Sequence, residues 1–397
     1  MSYFLYLKMR LLLFILFSIP LVLNAQVPEW NQFRGPDKTG SVQYRVPATL
    51  KLFQQVWEYQ PERGTATSAL VYKNTLIFGQ GTSYYCLDRM TGKEIWKTKV
   101  QELNKWGAQT SQPSVGDGRL YFGTREGFMF CLDAANGSVL WKSANHRIVT
   151  SSPAIANGMV YYSGFDTLFH AVDAKTGKEI WNYPTMGGDA SPVVRDNTVF
   201  VGSDKGWVYA LNATDGKLIW KFKTGDRNYS GPVYNNGMVF FPSDDGRMYA
   251  FNALTGENTW VYQVKSYLFD FPVAFKNMII VSSYSGALIA IDAVTGTMVW
   301  TKQFNIISDP IVVNDVLLID TYSSSSPSFA RNMVIALDPE TGKELWQFNH
   351  SIGISGEPVV SDKMVYMSCG YVYGYQSYFG SLLNSVPFAC PVIDNQN

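Results

Sequence analysis

One nine-residue pattern constrains this chain more than anything else in it: Asp or Asn, three residues, Gly, three residues, Trp. It occurs seven times, from Asp88 to Trp96, Asp133 to Trp141, Asp173 to Trp181, Asn212 to Trp220, Asn252 to Trp260, Asp292 to Trp300 and Asp338 to Trp346. Successive tryptophans are 45, 40, 39, 40, 40 and 46 residues apart. A period of this length marks one small unit used over and over, each copy unable to bury its apolar face alone.

Residues 151 to 183 show what the unit contains. Ser-Pro-Ala-Ile-Ala is followed by Asn157-Gly158, Met-Val-Tyr-Tyr-Ser by a turn near Asp166, Leu-Phe-His-Ala-Val by Lys175-Thr-Gly177, and Glu-Ile-Trp-Asn-Tyr closes the unit. Four short β-branched and aromatic runs divided by Gly, Asn and Asp turns predict a four-stranded meander, with strands A to D. The repeated residues have structural work to do. The Asp or Asn accepts backbone hydrogen bonds within the turn, the Gly supplies a positive φ, and the Trp lays its ring against the neighbouring sheet, where its N–H needs a partner.

Stacked four-stranded units that close on themselves make an all-β propeller. The chain ends set the number of blades. Phe53-Gln-Gln-Val-Trp57-Glu-Tyr59 is a D-like strand 39 residues before Trp96, whereas Trp346 is followed by A, B and C-like strands and no closing Gly-x-x-x-Trp. Seven complete blades and one blade shared between the two ends predict an eight-bladed β-propeller of antiparallel blades, closed by an N-terminal strand. The alternative is seven blades and an irregular tail. The structural tryptophans are then Trp57, Trp96, Trp141, Trp181, Trp220, Trp260, Trp300 and Trp346.

The divisions follow: a signal peptide over residues 1 to 25, a lead-in segment over 26 to 51, the propeller over 52 to 376 and a tail over 377 to 397. Lys8 and Arg10, the apolar run Leu11 to Leu23 and Asn24-Ala25 have the layout of a cleaved export signal. The run is short of the ~20 residues that span a bilayer, so an uncleaved anchor is the alternative. Export places the protein in the periplasm or outside the cell, with no membrane span after cleavage. Cys86 and Cys131 stand where other repeats have Ala171, Ala210, Ala250, Ala290 and Ala336, so they read as small packing residues. Cys369 and Cys390 are left either as free thiols or as a disulfide pair. Charge is balanced, with 32 basic and 32 acidic residues, which gives no global field for nucleic acid. No Ser-His-acid set, phosphate loop or zinc motif is present.

Ala171 to Trp181, reading Ala-x-Asp-Ala-x-Thr-Gly-Lys-x-x-Trp, resembles the pyrroloquinoline quinone (PQQ)-like repeat of quinoprotein alcohol dehydrogenases and of BamB-like propellers. Trp30-Asn-Gln-Phe-Arg34-Gly35-Pro36 is similar to the segment that precedes the repeats in exported bacterial members. The resemblance spans about residues 28 to 376 and speaks for fold more than for function. It implies two functions. Quinoprotein dehydrogenases of the family carry long insertions, often adjacent cysteines, and Glu, Asn and Asp ligands for calcium beside the quinone; this chain has no adjacent cysteines and mostly short units. BamB-like proteins are non-catalytic scaffolds in outer-membrane protein assembly, but carry a lipid-bearing cysteine absent here. The expectation is a monomeric scaffold without a cofactor that binds a protein partner in the envelope; the alternative is a dehydrogenase of alcohols or sugars with PQQ and calcium.

The meander sends A-to-B and C-to-D turns to one face, and D-to-A and B-to-C connections to the other. Both departures from the 40-residue spacing fall on the second face: Lys97 to Gln112, with the extra Trp106, and Tyr322 to Arg331. The starts of the A strands there are unlike one another where the rest of the repeat is uniform. Trp106, Gln109, Arg147, Asp189, Arg227, Tyr229, Asp270, Asp309 and Glu357 are therefore the candidate partner-binding residues, with Tyr267 beside them. Arg and aromatic side chains are the usual anchors of protein contacts. Asp189, Asp270, Asp309 and Glu357 are also a candidate calcium set if they converge.

Overall fold

The fold is that of a computed structural model, which describes residues 41–42, 53–62, 67–100, 111–143, 147–149, 151–188, 190–264, 266–268, 270–306, 309–313, 315–322, 332–350, 359–361, 364–368 and 372–377. The expected signal peptide, most of the lead-in segment, all but the first residue of the tail, and Cys369 and Cys390 lie outside these residues. Every regular element among them is a strand.

These strands form eight sheets, numbered here by their A strands: Leu70–Tyr72, Ser114–Gly116, Ala154–Ala156, Val193–Arg195, Val233–Asn235, Val273–Phe275, Ile311–Val313 and Val359–Ser361. Seven sheets are four-stranded and antiparallel; the seventh in order gains a fifth strand, Ser41–Val42. Successive A strands touch in a series from sheet 8 through sheet 1 and on to sheet 7, so the A strands gather about a common axis and the Trp-bearing D strands lie outermost. The fold is a β-propeller.

One row of residues crosses every sheet in the same register. In sheet 3 it is Ala154, Tyr161, Ala171 and Trp181; in sheet 4 it is Val193, Phe200, Ala210 and Trp220. In sheet 8 the row is Val359, Tyr366 and Gly374, completed by Trp57 of the N-terminal strand Phe53–Tyr59. The outermost strand of sheet 8 is thus Phe53–Tyr59, paired antiparallel with Val372–Ser377. Cys86 and Cys131 occupy the Ala position of their rows and are free and buried. Burial raises the Cys86 thiol to about 11 and the Cys131 thiol to about 12, which keeps both protonated.

The tryptophans join the sheets. Trp57, Trp96, Trp141, Trp181, Trp220, Trp260 and Trp300 each donate from Nε1 to a backbone carbonyl of the following sheet, at Arg89, Ala134, Ala174, Ala213, Ala253, Ala293 and Pro339, over 2.9 to 3.2 Å. Each ring lies on the Gly of that sheet's Asp/Asn-x-x-x-Gly turn. A Cβ at Gly92 would come within 2.6 Å of the Trp57 ring, and one at Gly216 within 2.5 Å of Trp181. These glycines also have φ of +68° and +71°, so the position excludes a side chain for two separate reasons. The preceding Asp or Asn accepts from two backbone amides of its turn, as Asp173 does from Lys175 at 3.1 Å and Thr176 at 2.8 Å.

Each D strand also carries a bulge before its Trp: Trp181 pairs with Ala171 but Glu179 with Val172, which turns Ile180 out to solvent. The same shift recurs in all eight sheets. A bulged outer strand is a poor template for pairing with another molecule.

Candidate functional site on the D-to-A and B-to-C face

The two faces differ as the connections predict. On the A-to-B and C-to-D face, hairpin turns such as Asn157-Gly158 and Asn236-Gly237 take left-handed φ at both residues. Aliphatic side chains exposed there, Met90, Leu254 and Val294, sit singly on different sheets. Isolated surface aliphatics call for no ligand.

The opposite face is built around buried polar groups. Arg227, in the connection from sheet 4 to sheet 5, donates from Nε to Asp244 Oδ2 at 3.0 Å, and Asp244 opens the B-to-C turn of sheet 5. The Asp244 side chain is 2% exposed while that of Arg227 is 53% exposed, so the acid is sunk and the guanidinium stays in water. Asp244 N–H donates to the Arg227 carbonyl at 2.8 Å, which closes a two-way link between the segments. Burial raises the Asp244 carboxyl above its ordinary value; Arg227 opposes the shift, and Asp226 and Asp204 add to it. Its neighbour Asp245 accepts from Tyr249 Oη at 2.6 Å, Gly225 N at 3.0 Å and Arg247 Nη1 at 3.3 Å.

Beside this network lies a cavity of about 510 Å³, lined by Asp244, Asp245, Gln263, Ser266, Tyr267 and Tyr284. Tyr267 comes from the connection between sheets 5 and 6 and is 54% exposed; Tyr284 comes from the B-to-C turn of sheet 6 and is 77% exposed. A backbone hydrogen bond from Tyr284 N to the Tyr267 carbonyl, 3.0 Å long, holds the two segments together. Tyr229, 45% exposed, lies on the same face two residues from Arg227. Tyr229, Tyr267 and Tyr284 are the exposed large aromatic side chains of that face among the described residues.

The sequence-derived candidates separate into three groups. Arg147, with φ +64°, Arg227 and Tyr229 are exposed on this face. Asp270 and Asp309 are half-buried and engaged within the fold: Asp270 accepts from the Ser282 hydroxyl, and Asp309 accepts from Phe271 N at 3.0 Å. The second bond is a joint between sheets 6 and 7, matching Ser152 N to Ser191 Oγ and Ser68 N to Gln112 Oε1 elsewhere. Trp106, Gln109, Asp189 and Glu357 lie outside the described residues, as does most of both insertions. Asp244, Asp245 and Tyr284 were not singled out by sequence. A large ring between Ser283 and Ser285 in a tight turn was the available signal.

A quinone and its calcium would need convergent oxygen ligands. Among the described residues no three His, Cys, Asp or Glu side chains are placed to hold a metal ion. Of the candidate calcium set, Asp270 and Asp309 each accept a hydrogen bond within the fold, and Asp189 and Glu357 lie outside the described residues. Among the same residues no helix is long and apolar enough to cross a membrane, which says nothing of crossing by strands.

Fold and repeat define the chain as a PQQ-like repeat β-propeller. The chain belongs to the family described as outer membrane protein assembly factor BamB, whose profile matches residues 80–191, 166–269 and 266–388. Among solved structures it is similar to BamB from Moraxella catarrhalis, at 18% identity over 82% of this chain and 100% of that one, with a TM-score of 0.66. It is also similar to a quinohemoprotein alcohol dehydrogenase from Pseudomonas putida, at 15% identity over 93% and 84% of the two chains and a TM-score of 0.71. The corresponding enzyme from Comamonas testosteroni gives 14% identity, 90% and 83% coverage and a TM-score of 0.70. Identities this low speak to the shared fold alone. No curated protein matches the chain in sequence.

Proposed function

We propose that this protein is an exported, monomeric, non-catalytic scaffold that binds a partner protein in the cell envelope through its D-to-A and B-to-C face, in the service of outer-membrane protein assembly. The observation that carries the reading is a cavity lined by the exposed Tyr267 and Tyr284 and by Asp244, to which Arg227 is paired, with Tyr229 exposed on the same face. Tyr and Arg are the side chains that dominate protein interfaces, because each places a large apolar or planar surface beside a polar group at small entropic cost. The Arg227–Asp244 link holds the guanidinium on a rigid base, which lowers the cost of ordering it on binding. BamB from M. catarrhalis shares the fold, and the family description supports the assembly role. The same membership and the export signal read in the sequence support an envelope location.

The test is a photo-reactive residue placed at Tyr284, and in a second protein at Leu254 on the opposite face. Cross-linking in intact cells should yield one defined envelope protein from position 284 and not from 254. Tyr267→Ala and Tyr284→Ala should each weaken that partner by about 30-fold, the equivalent of ~2 kcal/mol, with the melting temperature unchanged. Equal capture from both faces would remove the reading. Reduction of an acceptor dye by protein mixed with PQQ, calcium and an alcohol or sugar would replace it with the quinoprotein dehydrogenase.

A further inference from the structure

Ser41–Val42 is foreign to the repeat. It pairs in parallel with Ile311–Val313, Ser41 opposite Val312 and Val42 opposite Val313. Hairpin-linked strands are antiparallel, so a parallel partner has to be inserted from elsewhere in the chain. Ile311–Val313 is the A strand of sheet 7, with its other edge paired to Val316–Tyr322. The edge taken by Ser41–Val42 therefore faces the axis of the propeller. There the inserted strand also touches Val273–Phe275, the A strand of sheet 6.

The wall beneath it differs from the wall elsewhere. Val-Ala-Phe in sheet 6 and Ile-Val-Val in sheet 7 are buried at all three positions. In sheets 4 and 5 the A strands bury only their first residue and end in Arg195 and Asn235. Around them Tyr234 donates from its hydroxyl to Asp196 at 3.1 Å and the Arg195 guanidinium lies 5.6 Å from the Tyr234 ring. The axial wall thus has a polar sector and an apolar one. An inner strand edge presents backbone N–H and C=O groups that require partners, and the apolar side chains of sheets 6 and 7 cannot provide them. An added strand can.

We propose that the inner edge of Ile311–Val313 is a strand-accepting site, and that the segment containing Ser41–Val42 is its resident occupant, a plug held on the apolar side of the axial channel by backbone hydrogen bonds. Recognition by strand addition draws its affinity from the main chain. Two paired residues alone would bind weakly, but the plug is tethered. Ten residues separate Val42 from Phe53 in sheet 8, and a short tether raises the local concentration to the order of mM. Ten residues reach at most about 35 Å, which exceeds the ~14 Å from inner to outer strand of a four-stranded sheet.

The experiment is a disulfide trap in the full chain, with Cys369 and Cys390 replaced by Ser. Strands paired at ~4.8 Å lie within disulfide reach, so Ser41→Cys with Val312→Cys should link on mild oxidation. Ser41→Cys with Val194→Cys, the same position in the A strand of sheet 4, is the control. Mass spectrometry of the linked peptides should show the first pair at least tenfold above the second. Equal yields, or no link to position 312, overturn the placement. A labelled peptide of residues 36 to 46 should then bind a variant lacking those residues at least tenfold more tightly than it binds the intact protein. Equal binding to both, or none to a folded deletion variant, overturns the strand-accepting site; should that variant not fold, the disulfide yields decide.

Discussion

Gly92→Ala probes the joint between the two chain ends. Gly92 belongs to sheet 1, and the ring that covers it, Trp57, belongs to the N-terminal strand that completes sheet 8. Two costs arise. At φ +68° an alanine Cβ crowds its own backbone, at about 1–2 kcal/mol. The same Cβ would sit 2.6 Å from Trp57 Cδ2 and Cε3, and overpacking of this kind adds roughly 1–3 kcal/mol. Gly118→Ala isolates the first cost, because Gly118 has φ +74° and nothing within 4 Å of its Cβ. Gly216→Ala is the internal standard, with φ +71° and Trp181 as the covering ring. Urea titration should place Gly92→Ala and Gly216→Ala below Gly118→Ala by about 1–3 kcal/mol. In a Trp57→Ala background the excess at Gly92 should vanish, since the two changes share one contact. If Gly216→Ala shows the excess and Gly92→Ala does not, the N-terminal strand does not press on sheet 1 in solution and closure through Trp57 is refuted.

Removal of residues 26 to 60 should open sheet 8, lower the melting temperature and promote aggregation through the exposed edge of Val372–Ser377; an unchanged melting curve would contradict closure by that strand. Trp220→Ala should cost about 3–5 kcal/mol in a denaturant titration, as expected for a buried aromatic, whereas Tyr284→Ala should stay within about 0.5 kcal/mol. Asp173→Asn should leave stability at pH 7 nearly unchanged, because Asn212 and Asn252 serve the same turn in their repeats through Oδ1. The two proteins should part in acid. Hydrogen bonds from Thr176 and Lys175 hold the Asp173 carboxyl below 3.8, so the unfolded chain takes up the proton first as pH falls, and the native protein loses stability through that window while Asp173→Asn does not. Parallel pH profiles of unfolding below pH 4 would show that the turn does not hold the charged form.

The scaffold was legible in the sequence because its parts are local. Four strands per unit follow from turn residues at fixed offsets, and the direction of each Trp follows from its need for a covering sheet and an N–H partner. The second constraint on the repeat Gly was not legible, since contact with the Trp of the preceding sheet depends on how sheets stack. The bulge before each Trp left only a weak trace, a polar residue such as Glu94 or Glu179, exposed where alternation would put it on the buried face of the Trp two residues later. Ser41–Val42 gave no trace, because a two-residue strand has no periodicity and its partner lies some 270 residues away.

The candidate site was legible as a face and not as a set of residues, and Asp309 shows why. A carboxylate at the start of an A strand reads the same whether it faces solvent or a neighbour. Its use is decided by the adjacent sheet, where Phe271 N–H stands 3.0 Å away. In sheet 5 the corresponding position is Gly231, where a Cβ would meet the Phe271 ring at 2.8 Å, so there a side-chain joint is replaced by ring packing. The same position along the repeat is thus spent on a hydrogen bond at one junction and on an aromatic contact at the next. The B-to-C turns are under no such demand from a neighbouring A strand. Asp244 and Tyr284 are joined to the preceding connection through their backbone amides, at the carbonyls of Arg227 and Tyr267, so their side chains can differ between repeats, and it is there that the cavity and the most exposed ring are found.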